Sequence, residues 1–303
     1  MSYENQHKSK SKILSIIFNT LMLGLGYFYI GYFKKSILSM TGIIFLVFSF
    51  YYLTVYFNNA YIFLSIYPLI FLIYVYIVID TIKIISHKKE KNYKINRWYF
   101  MLILILIISL LLPYILKISP VRSFYIPSNS MSPTVKLGDH VIIKKGFKKI
   151  SRGDIVVFKY PLNPKLFFIK RCVAVGGDKL FIKNKILYLQ PHEGNSFIRK
   201  NYPEKDIITI NNSLWIKAPY KNKIKTIIND NNVVNNGYYP AKLFNFNQTV
   251  IPKNSYFLMG DNRDHANDSR FWGYVKEKDI FGVFNGLICF NSKDLKRINL
   301  KVK

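Results

Sequence analysis

Residues 13 to 117 are nearly all Ile, Leu, Phe, Tyr and Val, whereas residues 118 to 303 are mixed and rich in turn-forming residues. No single aqueous core accommodates that first stretch, so the chain is expected to use two solvents. A bilayer core about 30 Å thick needs roughly 20 apolar residues in helical form. Residues 36–57, 60–83 and 98–117 each reach that length, and Trp98 with Tyr99 suits an interfacial belt at the start of the last. So many spans are not the pattern of a cleaved signal sequence.

The charge pattern orients these spans. The formal net charge is +28, which in a soluble chain would raise nucleic-acid binding. Here much of it flanks the apolar segments, at Lys8, Lys10 and Lys12, at Lys34 and Lys35, and from Lys83 to Arg97. Basic flanks mark the cytoplasmic side and attract anionic lipid. No DNA- or RNA-binding motif is present, and no nucleic-acid partner is expected. With 83–97 cytoplasmic, the 98–117 helix runs outward and places 118–303 outside the cytoplasm. Working backward, 60–83 runs inward and 36–57 outward, so both ends of 13–33 lie inside. Gly24, Gly26 and Gly31 interrupt that segment. A re-entrant or surface-lying element is favoured, with an additional span as the alternative. Residues 1–12 form a basic cytoplasmic N-terminus.

From residue 121 the periodicity changes to short strands with turn punctuation. The expected fold class is an N-terminal α-helical transmembrane region followed by a mostly-β extracytoplasmic domain, 118–189 and 253–303, with 190–252 as an inserted α+β or irregular subdomain. Cys172 and Cys289 are the only cysteines, too few for a disulfide framework or a four-cysteine zinc site. Both sit in apolar runs and read as buried free thiols, with a disulfide between them as the alternative if this half lies in an oxidising compartment.

Three segments of this half carry chemistry. Ile126-Pro127-Ser128-Asn129-Ser130-Met131-Ser132-Pro133-Thr134 is a serine cluster held between two prolines, a rigid exposed loop. A serine hydroxyl needs a base to become a nucleophile. His140, His192 and His265 are the only histidines beyond the apolar half, and none has the surroundings of a Ser-His-Asp enzyme. A lysine can serve if burial keeps it neutral, because desolvation lowers its pKa. In Phe168-Ile169-Lys170-Arg171-Cys172-Val173-Ala174-Val175, strand alternation puts Phe168, Lys170, Cys172 and Ala174 on one face and Arg171 on the other. Lys170 then projects from an apolar surface. The third segment runs from Gly260 to Gly273, polar between strand-like flanks, with Asp spacing unlike a calcium loop and with Asp268 and Arg270 placed to pair.

In this order the three segments resemble the type I signal peptidases, a Ser-Lys protease family of the S26 type: Ser-x-Ser-Met-x-Pro-Thr, then Lys-Arg before a Gly-Gly-Asp turn, then Gly-Asp-Asn-Arg-Asp-His-x-x-Asp-Ser-Arg. The resemblance implies a serine endopeptidase of the plasma (inner) membrane, multi-pass, that removes signal peptides from secretory preproteins having small residues at positions −1 and −3. It implies Ser130 as nucleophile, Lys170 as general base, and the Ser128 hydroxyl with the Ser130 amide as oxyanion hole. Met131, Asp261, Arg263, Asp268 and Arg270 would be supporting residues. No cofactor and no metal are implied; membrane lipid is an expected partner, which the Phe124-Tyr125-Ile126 run could reach. Ala266 departs from the pattern, standing where many members carry a serine that bonds the lysine. The alternatives are a non-catalytic or regulatory membrane protein with the same fold, and a Ser-Lys protease dedicated to one partner.

Overall fold

The computed structural model describes residues 10–57, 59–87, 103, 106–107, 109–110, 121–146, 149–220, 227–291, 293–297 and 299–301. The chain divides into two compact units, Met1–Ser119 and Pro120–Lys303.

The first unit is helical, as its unbroken apolar runs require. Helix α1 (Lys12–Leu21) starts at Ser11, whose Oγ accepts the Leu14 amide at 3.3 Å. Helix α2 (Leu25–Tyr29) follows after Gly24, which has φ 97°. A Cβ on Gly24 would lie 2.1 Å from Ser39 Oγ, so only glycine permits both the turn and the approach to α3 (Phe33–Phe57). Helices α4 (Ala60–Leu64) and α5 (Ile66–Ser86) complete the described helices. The stretches Phe33–Thr54 and Ala60–Ser86 are long and apolar enough to cross a bilayer. Their outward side chains, such as Leu38, Phe45, Phe71 and Leu72, are exposed apolar surface. Helix α1 rises only about 15 Å and cannot cross alone. The span expected at 98–117 lies outside the described residues apart from a few positions.

Polar contacts lock this unit internally. Asn19 is buried and bridges three elements, accepting the Gly26 amide at 2.9 Å and donating to Thr81 Oγ1 at 3.3 Å. Asp80 Oδ2 accepts from the Tyr27 hydroxyl at 2.7 Å and from Lys35 Nζ at 2.9 Å.

The second unit is built on two antiparallel sheets. The strands of the larger are β1 (Val121–Tyr125), β2 (Asp139–Lys144), β3 (Ile155–Tyr160), β4 (Asn163–Val175), β10 (Ser255–Met259), β11 (Val275–Lys276), β12 (Ile280–Asn291) and β13 (Leu300–Lys301). Their order is β1-β2-β12-β3-β4-β10-β11, with β13 on β12. The smaller sheet takes β5 (Lys179–Lys183), β6 (Ile186–Gln190), β7 (Ile207–Ile210), β8 (Ser213–Lys217) and β9 (Phe246–Val250), ordered β7-β8-β6-β5-β9.

This second sheet begins at Lys179, so the subdomain boundary expected at 190 falls at the end of its β5–β6 hairpin. Two-residue turns close its hairpins with positive φ at both positions, Asn184-Lys185 and Asn211-Asn212. Asparagine tolerates that region better than most residues. The asparagine richness of the segment is therefore partly turn chemistry rather than irregular chain.

Core packing follows strand alternation. One cluster gathers Ile126, Met131, Val135, Val141, Ile143, Val157 and Ile169; another gathers Val156, Phe158, Cys172, Tyr256 and Leu258. Cys172 is a buried free thiol, as expected. Ala174 departs from the expected face. It joins Val173 in a third cluster, where a register shift opposite Phe257 and Leu258 interrupts the alternation. The Phe124-Tyr125-Ile126 run is also corrected, since Ile126 is 3% exposed within the core and only Tyr125, at 52%, faces outward.

The C-terminal end is pinned to the serine loop through Asp139. Its carboxylate accepts Arg297 Nε at 2.9 Å and Nη2 at 2.7 Å, and Arg297 Nη2 also donates to the Thr134 carbonyl at 3.1 Å. Removing one member of such a buried pair strands the other charge, at a cost of about 3–5 kcal/mol. Asp139→Ala is expected to lower the melting temperature of the second unit by about 10 °C. His265→Ala, which removes an exposed pair with Asp230, should shift it by no more than about 2 °C. Thermal unfolding of the purified protein checks both.

Candidate active site

The serine loop is closed at its base by β1 and β2. Ile126 N donates to Asp139 O and Gly138 N to Ile126 O, both at 2.9 Å. Within it, Ser132 N donates to Asn129 O and Val135 N to Met131 O, each at 3.0 Å. Met131 is fully buried and anchors the loop in the core, while Ser130 next to it keeps 9% of its surface. Ser128 is exposed, its Oγ 3.3 Å from Ser130 Oγ.

Lys170 reaches Ser130 from β4, where it pairs with Val156 of β3. It is 3% exposed, and its Nζ lies 2.7 Å from Ser130 Oγ and 2.9 Å from the Ile169 carbonyl oxygen. The Phe168 ring stands 5.5 Å away. Burial pushes the amine down to about 8, against the opposing influence of Asp268 and Asp261. About one molecule in ten then carries a neutral amine at pH 7, where an ordinary lysine would have fewer than about one in a thousand. Among the described residues no histidine bonds Ser130. His140 lies between Tyr125 and Phe290, His192 bonds Asp178, and His265 bonds Asp230.

Around this pair the polar loop is held by ion pairs. Arg171 points away from Lys170 and grips Asp261 with two hydrogen bonds, Nε to Oδ1 at 2.8 Å and Nη2 to Oδ2 at 2.6 Å. Asp261 Oδ2 also accepts the Thr134 hydroxyl at 2.6 Å, joining the polar loop to the serine loop. Asp268 and Arg270 pair as the spacing predicts, with Nε to Oδ1 and Nη2 to Oδ2 both at 2.8 Å. Asp268 Oδ2 accepts the Gly260 amide at 3.1 Å as well. Asn262 N donates to the Ser130 carbonyl, and Asn262 Nδ2 to the Asn129 carbonyl, each at 3.2 Å. Arg263 is buried, with no hydrogen-bond partner for Nε or Nη2; burial lowers it to about 10.

Three features were not read from the sequence. Thr134 and Asn262 both support the serine loop, and the sequence placed them in the right segments without showing what they touch. The Ile169 carbonyl as a partner of Lys170 leaves no trace in residue identity. The Asp178, His192 and Glu193 side chains also come together, but the Arg152 guanidinium occupies their centre. It donates to Asp178 Oδ2 at 2.7 Å and to Glu193 Oε2 at 2.7 Å. That cluster is an ion-pair network.

The sequence model described as "Signal peptidase, peptidase S26" matches residues 95–288. The chain belongs to this family. Signal peptidase I of Aquifex aeolicus is 33% identical over 189 residues, covering 53% of this chain and 73% of the relative. That of Buchnera aphidicola (subsp. Acyrthosiphon pisum) is 30% identical over 248 residues, 65% of this chain and 77% of its own. That of Pseudomonas aeruginosa is 32% identical over 180 residues, 54% and 60%. A solved signal peptidase I from Enterococcus faecalis is 24% identical, covering 46% of this chain and 98% of its own, with a TM-score of 0.29. The chain is accordingly a serine endopeptidase of the signal peptidase I type, acting on the signal peptides of preproteins.

Close packing at Gly260 gives a test of this peptidase's geometry. A Cβ there would lie 2.5 Å from the Ser130 carbonyl oxygen and 2.4 Å from Ala266 Cβ. Gly260→Ala is expected to cost about 1–3 kcal/mol of stability by overpacking. Cleavage should fall further, by about 100-fold, because displacement of the serine loop by about 1 Å spoils the reacting geometry. Thermal unfolding and preprotein cleavage, measured together, separate the two effects.

Proposed function

We propose that Ser130 attacks the scissile carbonyl of the signal peptide and that Lys170, in its neutral form, takes the serine proton. The observation that carries this reading is the 2.7 Å contact between Ser130 Oγ and a lysine amine that is 3% exposed. In the resting neutral state the serine hydroxyl donates to the Nζ lone pair. Attack forms the bond from Oγ to carbon and moves the proton to Nζ. The resulting ammonium then protonates the leaving amine, and an acyl-enzyme on Ser130 remains for water to hydrolyse. The Ser128 hydroxyl and the Ser130 amide receive the developing oxyanion. The 3.3 Å separation of the two serine oxygens supports that pairing, and each such donor is worth about 3–4 kcal/mol in the transition state.

Ala266 favours a non-catalytic protein only if Lys170 lacks an orienting partner. The Ile169 carbonyl at 2.9 Å supplies one acceptor. A neutral amine has a second N–H, and a serine hydroxyl at 266 would accept it. Ala266→Ser therefore keeps activity or raises it modestly.

The substrates are secretory preproteins with small residues at −1 and −3. An extended peptide presents alternate side chains to one surface, and β1, which leads into the serine loop, pairs only with β2 among the described residues and leaves its other side for a strand of substrate. We place the peptidase in the plasma (inner) membrane of a bacterial-type cell as a multi-pass protein with its catalytic unit on the extracytoplasmic side. Two observations support this: the apolar stretches of α3 and of α4–α5, and the Lys35–Asp80 contact joining the start of α3 to the end of α5 beside Lys34 and Lys83. That arrangement gathers basic charge at one end of the helix pair. The short α1 and α2 fit a re-entrant or surface-lying segment at 13–33.

The decisive experiment is cleavage of a preprotein across pH 6 to 10. Since the charged amine is inactive and Lys170 loses its proton near 8, kcat/KM should rise about tenfold per pH unit below about 8 and level off above it. Ser130→Ala and Lys170→Ala should each reduce cleavage by about a thousandfold or more. A flat profile, or cleavage surviving either substitution, would sink the Ser-Lys mechanism.

A further inference from the structure

A cavity of about 540 Å³ opens in the second unit; neither Ser130 nor Lys170 lines it, and its walls are mixed in character. Lys205, Lys217 and Arg263 supply positive charge, Asp206 is the one acid among the described lining residues, and Tyr220 and Ile227 supply apolar surface. A fourth cation on the wall, Lys185, is already committed: its Nζ donates to Asp264 Oδ2 at 2.9 Å and to the Val233 carbonyl.

The other three cations are not so committed. The Lys205 and Lys217 side chains are exposed and have no ion-pair or hydrogen-bond partner among the described residues. Arg263 is 7% exposed, and its Nε and Nη2 make no hydrogen bond. The acids nearest in sequence are taken, Asp264 by Lys185, Asp261 by Arg171 and Asp268 by Arg270. A buried guanidinium without a matched acid is costly unless something else supplies the negative charge. Its backbone is nonetheless firmly held, because Arg263 N donates to Ile228 O at 3.0 Å, and Arg263 O accepts from Arg270 Nη2. The side chain is thus presented by a fixed support rather than by a loose loop.

A volume of this size is in the range of small-molecule sites and far exceeds an inorganic anion. Three uncommitted cations against one acid call for an anion of more than one charge, and guanidinium and ammonium groups together suit phosphate oxygens. We propose that this cavity binds a phosphate-bearing small molecule, its phosphate among Lys205, Lys217 and Arg263 and its apolar body against Tyr220 and Ile227. The chemistry is shared by a soluble phosphate ester and by a phospholipid headgroup. The site does not rest on the catalytic reading, since none of its lysines touches Ser130 or Lys170.

The test uses the full chain in detergent and 1-naphthyl phosphate as probe, followed by its fluorescence. Saturable binding is expected, with 1-naphthol bound at least about tenfold more weakly, since it lacks the charged hydrogen-bonding group. The Lys205→Ala/Lys217→Ala double variant should weaken the probe by about tenfold or more while cleaving preprotein at the unaltered rate. Arg263→Gln should weaken it likewise, and the lysine variant keeps the proposal testable should that substitution impair folding. Displacement by dihexanoyl phosphatidic acid would support a lipid headgroup as the source, and displacement by glycerol 3-phosphate alone a soluble ester. Displacement by neither, equal binding of naphthol, or binding unchanged in the lysine double variant would overturn the proposal.

Discussion

A lysine side chain held at 3% exposure, its amine beside the Phe168 ring, is the constraint around which the catalytic unit is organised. Water would keep that amine charged at neutral pH; the core makes the charged form expensive and lowers its pKa to about 8. Arg171, the next residue, turns its charge to the opposite side and is neutralised by Asp261. Met131 fills the core beside the serine, so the loop carrying Ser130 cannot drift from the strand carrying Lys170.

Two ion pairs then set the distance between loop and strand. The Arg171–Asp261 pair ties β4 to the polar loop, and Thr134 extends the tie to the serine loop. The Asp268–Arg270 pair closes the polar loop on itself through the Gly260 amide. Both carboxylates favour the protonated lysine, yet burial outweighs them. The likeness to signal peptidases therefore has a physical counterpart: the charged residues of the third segment build a scaffold, and Ser130, Lys170 and Ser128 come together beside it.

The helical unit follows a different logic. Its apolar helices offer little to distinguish one packing partner from another, and the specific contacts are polar: Asn19 to Gly26 and Thr81, and Asp80 to Tyr27 and Lys35. Hydropathy located the long helices because their composition is nearly uniform. It was silent on Asn19 because a single buried amide leaves the average hydropathy of a segment unchanged.

Much was legible before any coordinates. The change from apolar runs to strand punctuation at residue 121 gave the division into helical and β units, since each solvent imposes its own pattern. The order of three motifs singled out Ser130 and Lys170, which the fold brings within 2.7 Å of each other, and the Asp268–Arg270 pair, because chemistry restricts residue types more tightly than packing does. Tertiary structure alone decided the rest. It assigned the 179–190 hairpin to the second sheet, moved Ala174 to another cluster at a register shift, and buried Ile126. It also supplied the Ile169 carbonyl as the partner of Lys170 where residue 266 is alanine. Strand register and backbone hydrogen bonds depend on what lies across the sheet, and a backbone carbonyl is the same group at every position, so no string of side-chain identities could have revealed them.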